Sequence, residues 1–203
     1  MTPETGQATL HAGFDVPVLD AQMCFKAMMT ALSFPGRTMT LSALPETPNS
    51  WPPAMAAAAL TLMDPDTPVW LDPVADTAEA RAFIRFHAGA PIVSDPARAS
   101  FACLLSPAHA PYEAFAIGVD QYPDRSASLL IGAEALDGGL KFTLSGPGIK
   151  DVAEFAPKGD FDAFWKGWSR NIALYPLGLD AFFFTGDELI GLPRSVAASL
   201  QEL

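Results

Sequence analysis

Apolar residues recur at helical spacing in the first part of the chain. The spacing i, i+3, i+4, i+7 predicts a helix over residues 18–33 with one apolar face turned toward the core. A second predicted helix, residues 52–63, is apolar on nearly every side, so we expect it to be buried. The apolar face of the first helix consists of Phe25, Met28, Met29 and Leu32.

Two further helices are predicted downstream. The first begins at a capping box in which Asp76 is the cap, and we expect its Phe83 and Phe86 to face the core. The second is capped by Asp160 and runs through Leu174. Its aromatic stripe is interpreted as core rather than as a platform for a cofactor. The stripe consists of Phe161, Phe164, Trp165, Trp168 and Ile172.

Short apolar runs between turn residues predict strands. The runs 129–136 and 140–144 flank Asp137-Gly138-Gly139, residues that accept a positive φ at low cost, so we expect a hairpin there. A second hairpin is expected across Thr185-Gly186-Asp187, and a short helix is expected to end the chain. Other short strands are predicted at 39–44, 69–71, 90–93 and 100–105.

Helices alternate with strands early in the chain, and hairpins dominate late. This order predicts an α/β fold, a three-layer sandwich in which a mixed β-sheet is flanked by helices. The chain has 203 residues and shows no linker, repeat or low-complexity tract. Residues 1–203 are therefore expected to form a single domain.

Composition narrows the range of partners. Half of the residues are apolar, 17% are charged, and the net charge is −11. This charge opposes unaided binding to nucleic acid or to an anionic membrane, and it would favour a basic partner protein. No stretch approaches the roughly 18 uninterrupted apolar residues of a membrane span. The first residues lack a positive region followed by an apolar core, so we expect no signal peptide and a cytoplasmic protein.

The sequence lacks the motifs of a self-sufficient catalyst. It has no GxxxxGK[ST] phosphate loop, no GxGxxG after a strand, no CxxC or HExxH metal motif, and no GxSxG elbow. Cys24 and Cys103 lie in apolar contexts and are interpreted as buried free thiols. The three histidines are far apart, and His109 has no obvious Ser or Cys partner. No metal site is predicted.

Several loops are more informative than the predicted helices and strands. Gly146-Pro147-Gly148 ends a strand abruptly, and such loops often carry ligand or partner sites in α/β proteins. Arg37 follows a glycine in a turn, where it is either a solvated residue or a contact to an anion or partner. Asp64 and Asp66 lie in a Pro-bounded turn, and turn chemistry explains them without a metal.

Short motifs in a fixed order cover residues 13–195 and together resemble the PhnH family, the H subunit of the bacterial carbon–phosphorus lyase system. Each motif alone is weak, whereas their order and spacing are specific. The motifs are Gly13-Phe14, Phe34-Pro35-Gly36-Arg37, Leu62-Met63-Asp64, Phe86-His87-Ala88-Gly89-Ala90-Pro91, Gly118-Val119-Asp120-Gln121-Tyr122-Pro123, Ser145-Gly146-Pro147-Gly148-Ile149, Asn171, Tyr175-Pro176-Leu177-Gly178-Leu179-Asp180 and Leu192-Pro193-Arg194-Ser195.

The resemblance implies a role in organophosphonate breakdown. It implies a subunit of a core complex with the G, I and J subunits, and a homodimer when isolated. The missing catalytic motifs favour a subunit that is structural rather than catalytic on its own. The complex installs the phosphonate on a nucleotide-derived ribose and then cleaves the carbon–phosphorus bond, and the J subunit carries the iron–sulfur cluster. The implied fold is similar to the large domain of pyridoxal-phosphate-dependent transferases, and no cofactor is expected.

The same motifs supply candidate residues for a pocket or a partner surface, with no catalytic residue assigned. Each candidate also has a structural interpretation as a cap, a turn or an internal salt bridge. Two other functions stay open: an independent nucleotide- or phosphonate-binding transferase that uses the Gly-Pro-Gly loop, and a degenerate pyridoxal-phosphate-type enzyme. The candidates are Arg37, Asp64, Gly146, Pro147, Gly148, Asn171, Asp180 and Arg194.

Overall fold

The computed structural model describes residues 10–48 and 50–201, so the expectation about the first residues falls in large part on residues 1–9, which lie outside the described residues. The helices are α1 (Pro17–Ser33), α2 (Pro53–Leu62), α3 (Ala78–Phe83, continued by a π-turn, Ile84–Ala88) and α4 (Asp162–Asn171). The strands are β1 (Met39–Thr40), β2 (Val69–Leu71), β3 (Phe101–Leu104), β4 (Ile117–Val119), β5 (Tyr122–Ser126), β6 (Ser128–Gly132), β7 (Phe142–Ser145), β8 (Ala153–Phe155), β9 (Asp180–Thr185), β10 (Glu188–Leu192) and β11 (Ala197–Leu200).

A mixed six-stranded sheet with the order β1-β10-β9-β6-β3-β2 forms the centre of the fold. Strands β2, β3, β6 and β9 are parallel, whereas β9, β10 and β1 pair antiparallel. A smaller sheet has the order β11-β7-β8, and β4 with β5 forms a separate two-stranded ribbon. The predicted α/β class and the mixed sheet are confirmed.

The central strands are buried on both faces, and alternate residues enter two different cores. Cys103, Leu130 and Phe182 pack with residues of α1, α2 and α3. Leu104, Leu129 and Phe183 pack on the opposite face with residues of α4 and of the smaller sheet. Each neighbour along a strand therefore belongs to a different layer, which explains the continuous apolar runs of these strands.

Two helices pack as their composition predicts. In α2 the six residues 54–59 are at most 1% exposed, and five of them are alanines, so the helix lies close to its neighbours on nearly every side. The aromatic stripe of α4 is core, as predicted: Phe161, Phe164 and Trp168 are each at most 4% exposed. The ring of Phe183 in β9 lies 5.1 Å from that of Phe164, edge to face.

The hairpin predicted across Asp137-Gly138-Gly139 is wrong. Strand β6 lies in the centre of the large sheet, where β3 and β9 occupy both of its edges. Strand β7 has no free edge of β6 to pair with, and it joins the smaller sheet between β11 and β8. The glycines do make a turn, but a turn signal does not specify which strands pair.

The buried face of α1 differs from the prediction. Asp20, Cys24, Met28 and Ala31 are buried, whereas Phe25 and Met29 are about half exposed. The cause is a close approach to β10, where a Cβ on Gly191 would lie 2.7 Å from the carbonyl carbon of Ala31. The side of α1 with small residues therefore packs on the sheet, and larger apolar residues remain at the surface.

Both predicted helix caps are also wrong. Thr77, not Asp76, caps α3 by accepting a hydrogen bond from the amide of Ala80 (3.1 Å). The Asp76 carboxylate instead pairs with the Arg81 guanidinium. Helix α4 has Phe161 at its N-cap, with no side-chain cap, so Asp160 does not cap it.

Two further expectations near the chain end and in α3 are corrected. The C-terminal helix is replaced by strand β11, which pairs with β7. Phe86 is 66% exposed because the π-turn after α3 rotates it away from the core.

Among the described residues, no helix is long and apolar enough to cross a membrane. The similarity to the large domain of pyridoxal-phosphate-dependent transferases stays a prediction.

Replacing Gly148 with Ala is expected to destabilise the fold, and Gly138 offers a matched control. Both have a positive φ, +84° and +78°, so both substitutions carry the left-handed penalty of about 1–2 kcal/mol. A Cβ on Gly148 would lie 2.3 Å from the Ser33 carbonyl oxygen, whereas nothing lies within 4 Å of one on Gly138. Urea unfolding should show Gly148→Ala to be less stable than Gly138→Ala by about 2 kcal/mol or more. Equal losses would contradict this packing.

Candidate functional site

Asp180 and Arg194 come together at the start of β9. The β9–β10 hairpin places Leu192 opposite Ala181, so Asp180, the first residue of β9, and the loop after β10 meet at one end of the sheet. The Arg194 amide donates to Asp180 Oδ1 (2.8 Å), and Nε donates to both carboxylate oxygens (3.2 and 3.1 Å). The two side chains are only 13% and 21% exposed, so this is a partly buried, forked ion pair.

The rest of the Arg194 guanidinium contacts the β5 segment. Nη1 donates to the Pro123 carbonyl oxygen (2.7 Å), and Nη2 donates to the Ser126 hydroxyl and to Asp180. All three guanidinium nitrogens thus have acceptors inside the chain. Arg194 joins the ends of β5, β9 and β10, which corresponds to the structural interpretation of this residue.

Asn171 holds the loop that leads into β9. Its side-chain amide donates to the Leu179 carbonyl oxygen (3.0 Å), and its Oδ1 accepts from the Leu179 amide (2.7 Å). Gly178 has φ +118°, and a Cβ there would lie 2.7 Å from Asn171 Oδ1. Asn171 is buried and its contacts are used within the chain, so it positions Asp180 for Arg194.

The Gly146-Pro147-Gly148 loop packs against two neighbouring segments. A Cβ on Gly146 would lie 2.8 Å from the Ser195 carbonyl oxygen, directly after Arg194. Gly148 approaches the end of α1 at Ser33. The close backbone approach expected of these glycines therefore serves internal packing, and Pro147 is exposed at the tip.

The remaining two candidates lie at the surface. Asp64 Oδ1 accepts a hydrogen bond from the Asp66 amide (2.9 Å), and Thr67 Oγ1 accepts from the Asp64 amide (2.7 Å), which is the expected turn chemistry. Arg37 is exposed, and its guanidinium has no hydrogen bond or ion pair within the described residues. Asp64 and Arg37 are not part of the Asp180–Arg194 cluster.

Sequence reasoning missed Asp72, which organises the carboxyl ends of β2 and β3. This carboxylate is 1% exposed. Oδ1 accepts from the amides of Val74 and Ala75 (2.9 and 2.7 Å), and Oδ2 accepts from those of Leu105 (2.7 Å) and Ser106. Its position immediately after a buried strand and before Pro73 was the available signal.

A cavity of about 410 Å³ lies at the carboxyl ends of β3 and β6. Contrary to the expectation for His109, its Nδ1 lies 3.2 Å from the Ser106 hydroxyl in this cavity. Ser106 precedes the 3₁₀ turn Pro107–His109, and His109 is the last residue of that turn. Because both residues lie in one short segment, no pair of separate sequence motifs indicated their contact. Glu134 and Asp160 also line the cavity, and the Glu134 carboxylate pairs with the Lys158 ammonium (3.4 Å).

Several backbone amides around the Ser106–His109 pair already donate within the chain, so they are not available as the oxyanion donors that acyl transfer requires. The amides of Leu105 and Ser106 are used by Asp72, and the His109 amide donates to the Ser106 carbonyl oxygen (3.2 Å). On the other wall, the amides of Ala133 and Glu134 donate to backbone carbonyls. These hydrogen bonds hold the segments that follow β3 and β6 within the fold.

Burial favours the protonated forms of Cys24, Cys103 and Tyr112. Burial raises the pKa of the Cys103 thiol and that of Cys24, although a hydrogen bond with Thr61 partly offsets the shift in Cys24. Burial also raises the pKa of Tyr112, whose hydroxyl donates to the Pro107 carbonyl oxygen (2.7 Å). Both cysteines are free and buried, which confirms their interpretation. Among the described residues, no three His, Cys, Asp or Glu side chains cluster so as to hold a metal ion.

Comparison with known proteins gives a match along nearly the whole chain. The family model described as bacterial phosphonate metabolism protein (PhnH) matches residues 12–199. The chain is 38% identical over 193 residues to the alpha-D-ribose 1-methylphosphonate 5-triphosphate synthase subunit PhnH of Rhizobium meliloti (strain 1021), covering 94% of this chain and 96% of that protein. It is 26% identical over 205 residues to the putative C-P lyase subunit protein HtxG of Stutzerimonas stutzeri, covering 99% and 98%.

Removal of the Arg194 side chain is expected to destabilise the protein strongly. Arg194→Ala leaves the partly buried Asp180 carboxylate without its cation, a change that typically costs about 3–5 kcal/mol. Arg170→Ala is the matched control, because the Arg170–Glu113 pair is 67% and 74% exposed and should contribute under about 1 kcal/mol. Denaturant unfolding measures both, and Asp180→Asn in the Arg194→Ala background should restore part of the loss. A loss for Arg194→Ala as small as for Arg170→Ala would contradict the structural role.

Proposed function

Because the chain belongs to the PhnH family of bacterial phosphonate metabolism proteins, we propose that it is a structural subunit of a carbon–phosphorus lyase core complex. The observation that carries the proposal is the family match over residues 12–199, together with a 38% identical relative of almost equal length that is itself named as a subunit. The proposed partners are the G, I and J subunits. Two free thiols fit a reducing compartment, so we place this role in the cytoplasm.

The internal contacts of the candidate residues support a role without catalysis by this chain alone. The hydrogen bonds of Arg194, Asp180 and Asn171 are made within the chain. The Gly-Pro-Gly loop packs against the end of α1. This packing weighs against a transferase that would use that loop. All lysines of the chain are exposed, so none occupies a closed pocket suited to a pyridoxal Schiff base, and we propose no cofactor. These lysines are Lys26, Lys141, Lys150, Lys158 and Lys166.

An apolar stripe on α1 supports a role in assembly. Val18, Phe25 and Met29 are 81%, 50% and 48% exposed. They occupy positions i, i+7 and i+11 and therefore share one side of the helix. Exposed apolar surface of this kind is typical of a face that a partner covers. Lys26 lies on the same helix but is displaced around it by about 100° from Phe25.

Deletion of the coding sequence is expected to abolish growth on an alkylphosphonate as sole phosphorus source, with normal growth on inorganic phosphate. The reason is that a complex missing a required subunit cannot assemble. A tagged wild-type copy should restore growth and retain the G, I and J subunits on purification. Normal phosphonate growth after deletion, with no second copy in the genome, would contradict the subunit role.

The same strain separates a structural from a catalytic role. Complementation with Ser106→Ala or His109→Ala should restore growth as well as the wild-type copy does, because these side chains have no catalytic task in the proposal. Restored assembly without growth for either variant would show that the chain contributes catalysis.

The isolated chain is expected to be a homodimer that uses the apolar stripe of α1. Light scattering at micromolar concentration should give twice the chain mass. Phe25→Glu combined with Met29→Glu should shift the protein toward monomer, because charges would be buried in an apolar contact. Lys26→Glu, exposed on the same helix, is the control and should remain dimeric. A monomeric wild-type chain would contradict the proposed homodimer. A double variant that remains dimeric would show that the dimer interface does not use this stripe of α1.

A further inference from the structure

A second cavity, of about 470 Å³, lies at the amino ends of β3 and β6, opposite to the cavity at their carboxyl ends. The 3₁₀ turn Pro96–Arg98 and the end of β5 form its rim. Its volume is in the range of sites for small molecules. The polar side chains that line it are Thr67, Arg98, Ser100, Asp124, Arg125, Ser126 and Ser128.

The two arginines of this cavity have no carboxylate partner within the described residues. This distinguishes them from Arg81, Arg170 and Arg194, each of which forms an ion pair. The nearest acid in sequence to Arg98 is Asp95, and its Oδ1 instead accepts the Ala97 amide (3.0 Å). Two guanidinium groups therefore line the same cavity with their donors available.

Arg125 is held in place without using its hydrogen-bond donors. Its guanidinium carbon lies 4.1 Å from the centroid of the Tyr122 ring. A cation–π contact engages the face of the guanidinium and leaves the N–H groups at its edge free for an acceptor. The side chain is thus positioned by stacking, while its fork remains available to an oxyanion.

The two cavities differ in the charged residues that line them. Ligands of open α/β sheets commonly bind at the carboxyl ends of the strands, but here no Lys or Arg lines that cavity, and of its two carboxylates, Glu134 and Asp160, the first pairs with Lys158 (3.4 Å). The amino end carries Arg98 and Arg125 against one acid, Asp124. In a chain of net charge −11, two arginines against one acid give this cavity a net positive lining, which favours an anion.

We propose that the arginine cavity binds a small anion with more than one phosphoryl or phosphonyl group. Each guanidinium can bind a phosphoryl group through two parallel N–H···O bonds. The hydroxyls of Ser100 and Ser128 supply further donors, and the volume exceeds what a single phosphate needs. This inference goes beyond the proposed function, which assigns no ligand to the chain. It can be tested on the isolated protein.

Isothermal titration of the purified full chain with tripolyphosphate, at low ionic strength, tests the proposal. Tripolyphosphate should bind at least tenfold more tightly than inorganic phosphate, because it engages both arginines. Arg98→Ala and Arg125→Ala should each weaken binding tenfold or more, and Arg125→Lys should weaken it less because the charge is kept. Arg85→Ala is the matched control, since Arg85 is exposed and does not line the cavity, and it should bind as the wild type does.

Thermal unfolding of each variant shows whether the fold is retained, which is expected because both arginines are exposed. Equal weakening by Arg85→Ala would reveal a response to net charge and would overturn the site. No binding of tripolyphosphate by the wild type, or binding unchanged in both cavity variants, would also overturn it. Because no partner subunit is present, none of these results depends on whether the complex assembles.

Discussion

The parallel pairing of β6 with β9 joins the two halves of the central sheet. On one side of this junction lie the parallel strands β3 and β2, and on the other the antiparallel strands β10 and β1. Strand β9 directs Phe182 toward the core beneath α2 and Phe183 toward the aromatic core beneath α4. Both cores therefore depend on one register, and a shift by one residue would exchange their side chains.

The Asp180–Arg194 ion pair secures this junction at its amino end. Asp180 is the first residue of β9 and lies opposite Ser128, while Arg194 reaches Pro123 and Ser126 just before β6 begins. The contact thus ties the hairpin of the antiparallel half to the entry of the parallel half. Asn171 fixes the loop before β9 and so restricts the position of the carboxylate. Motif residues that are far apart in sequence converge here for a structural reason.

Much of the fold could be predicted from local patterns. The bounds of α1, α2 and β2 and the β9–β10 hairpin follow from apolar spacing, Pro positions and turn residues, which act within a few residues. The pairing of strands was harder to predict. β6 and β7 have the sequence pattern of a hairpin, yet they belong to different sheets. The buried side of α1 was likewise decided by the close approach of Gly191, a contact across more than 150 residues.

For the candidate site, the sequence by itself indicated Asn171, Asp180 and Arg194, the family to which the chain belongs, and the absence of a recognisable catalytic motif. Only the tertiary structure decided how they are used. It placed Asp180 beside Arg194 and Ser106 beside His109. It also buried the Asp72 carboxylate, which accepts hydrogen bonds from four backbone amides. It also left Arg98 and Arg125 without acids around one cavity. The physical reason is that charge pairing and burial depend on distances in space, which packing sets and the order of residues along the chain does not reveal.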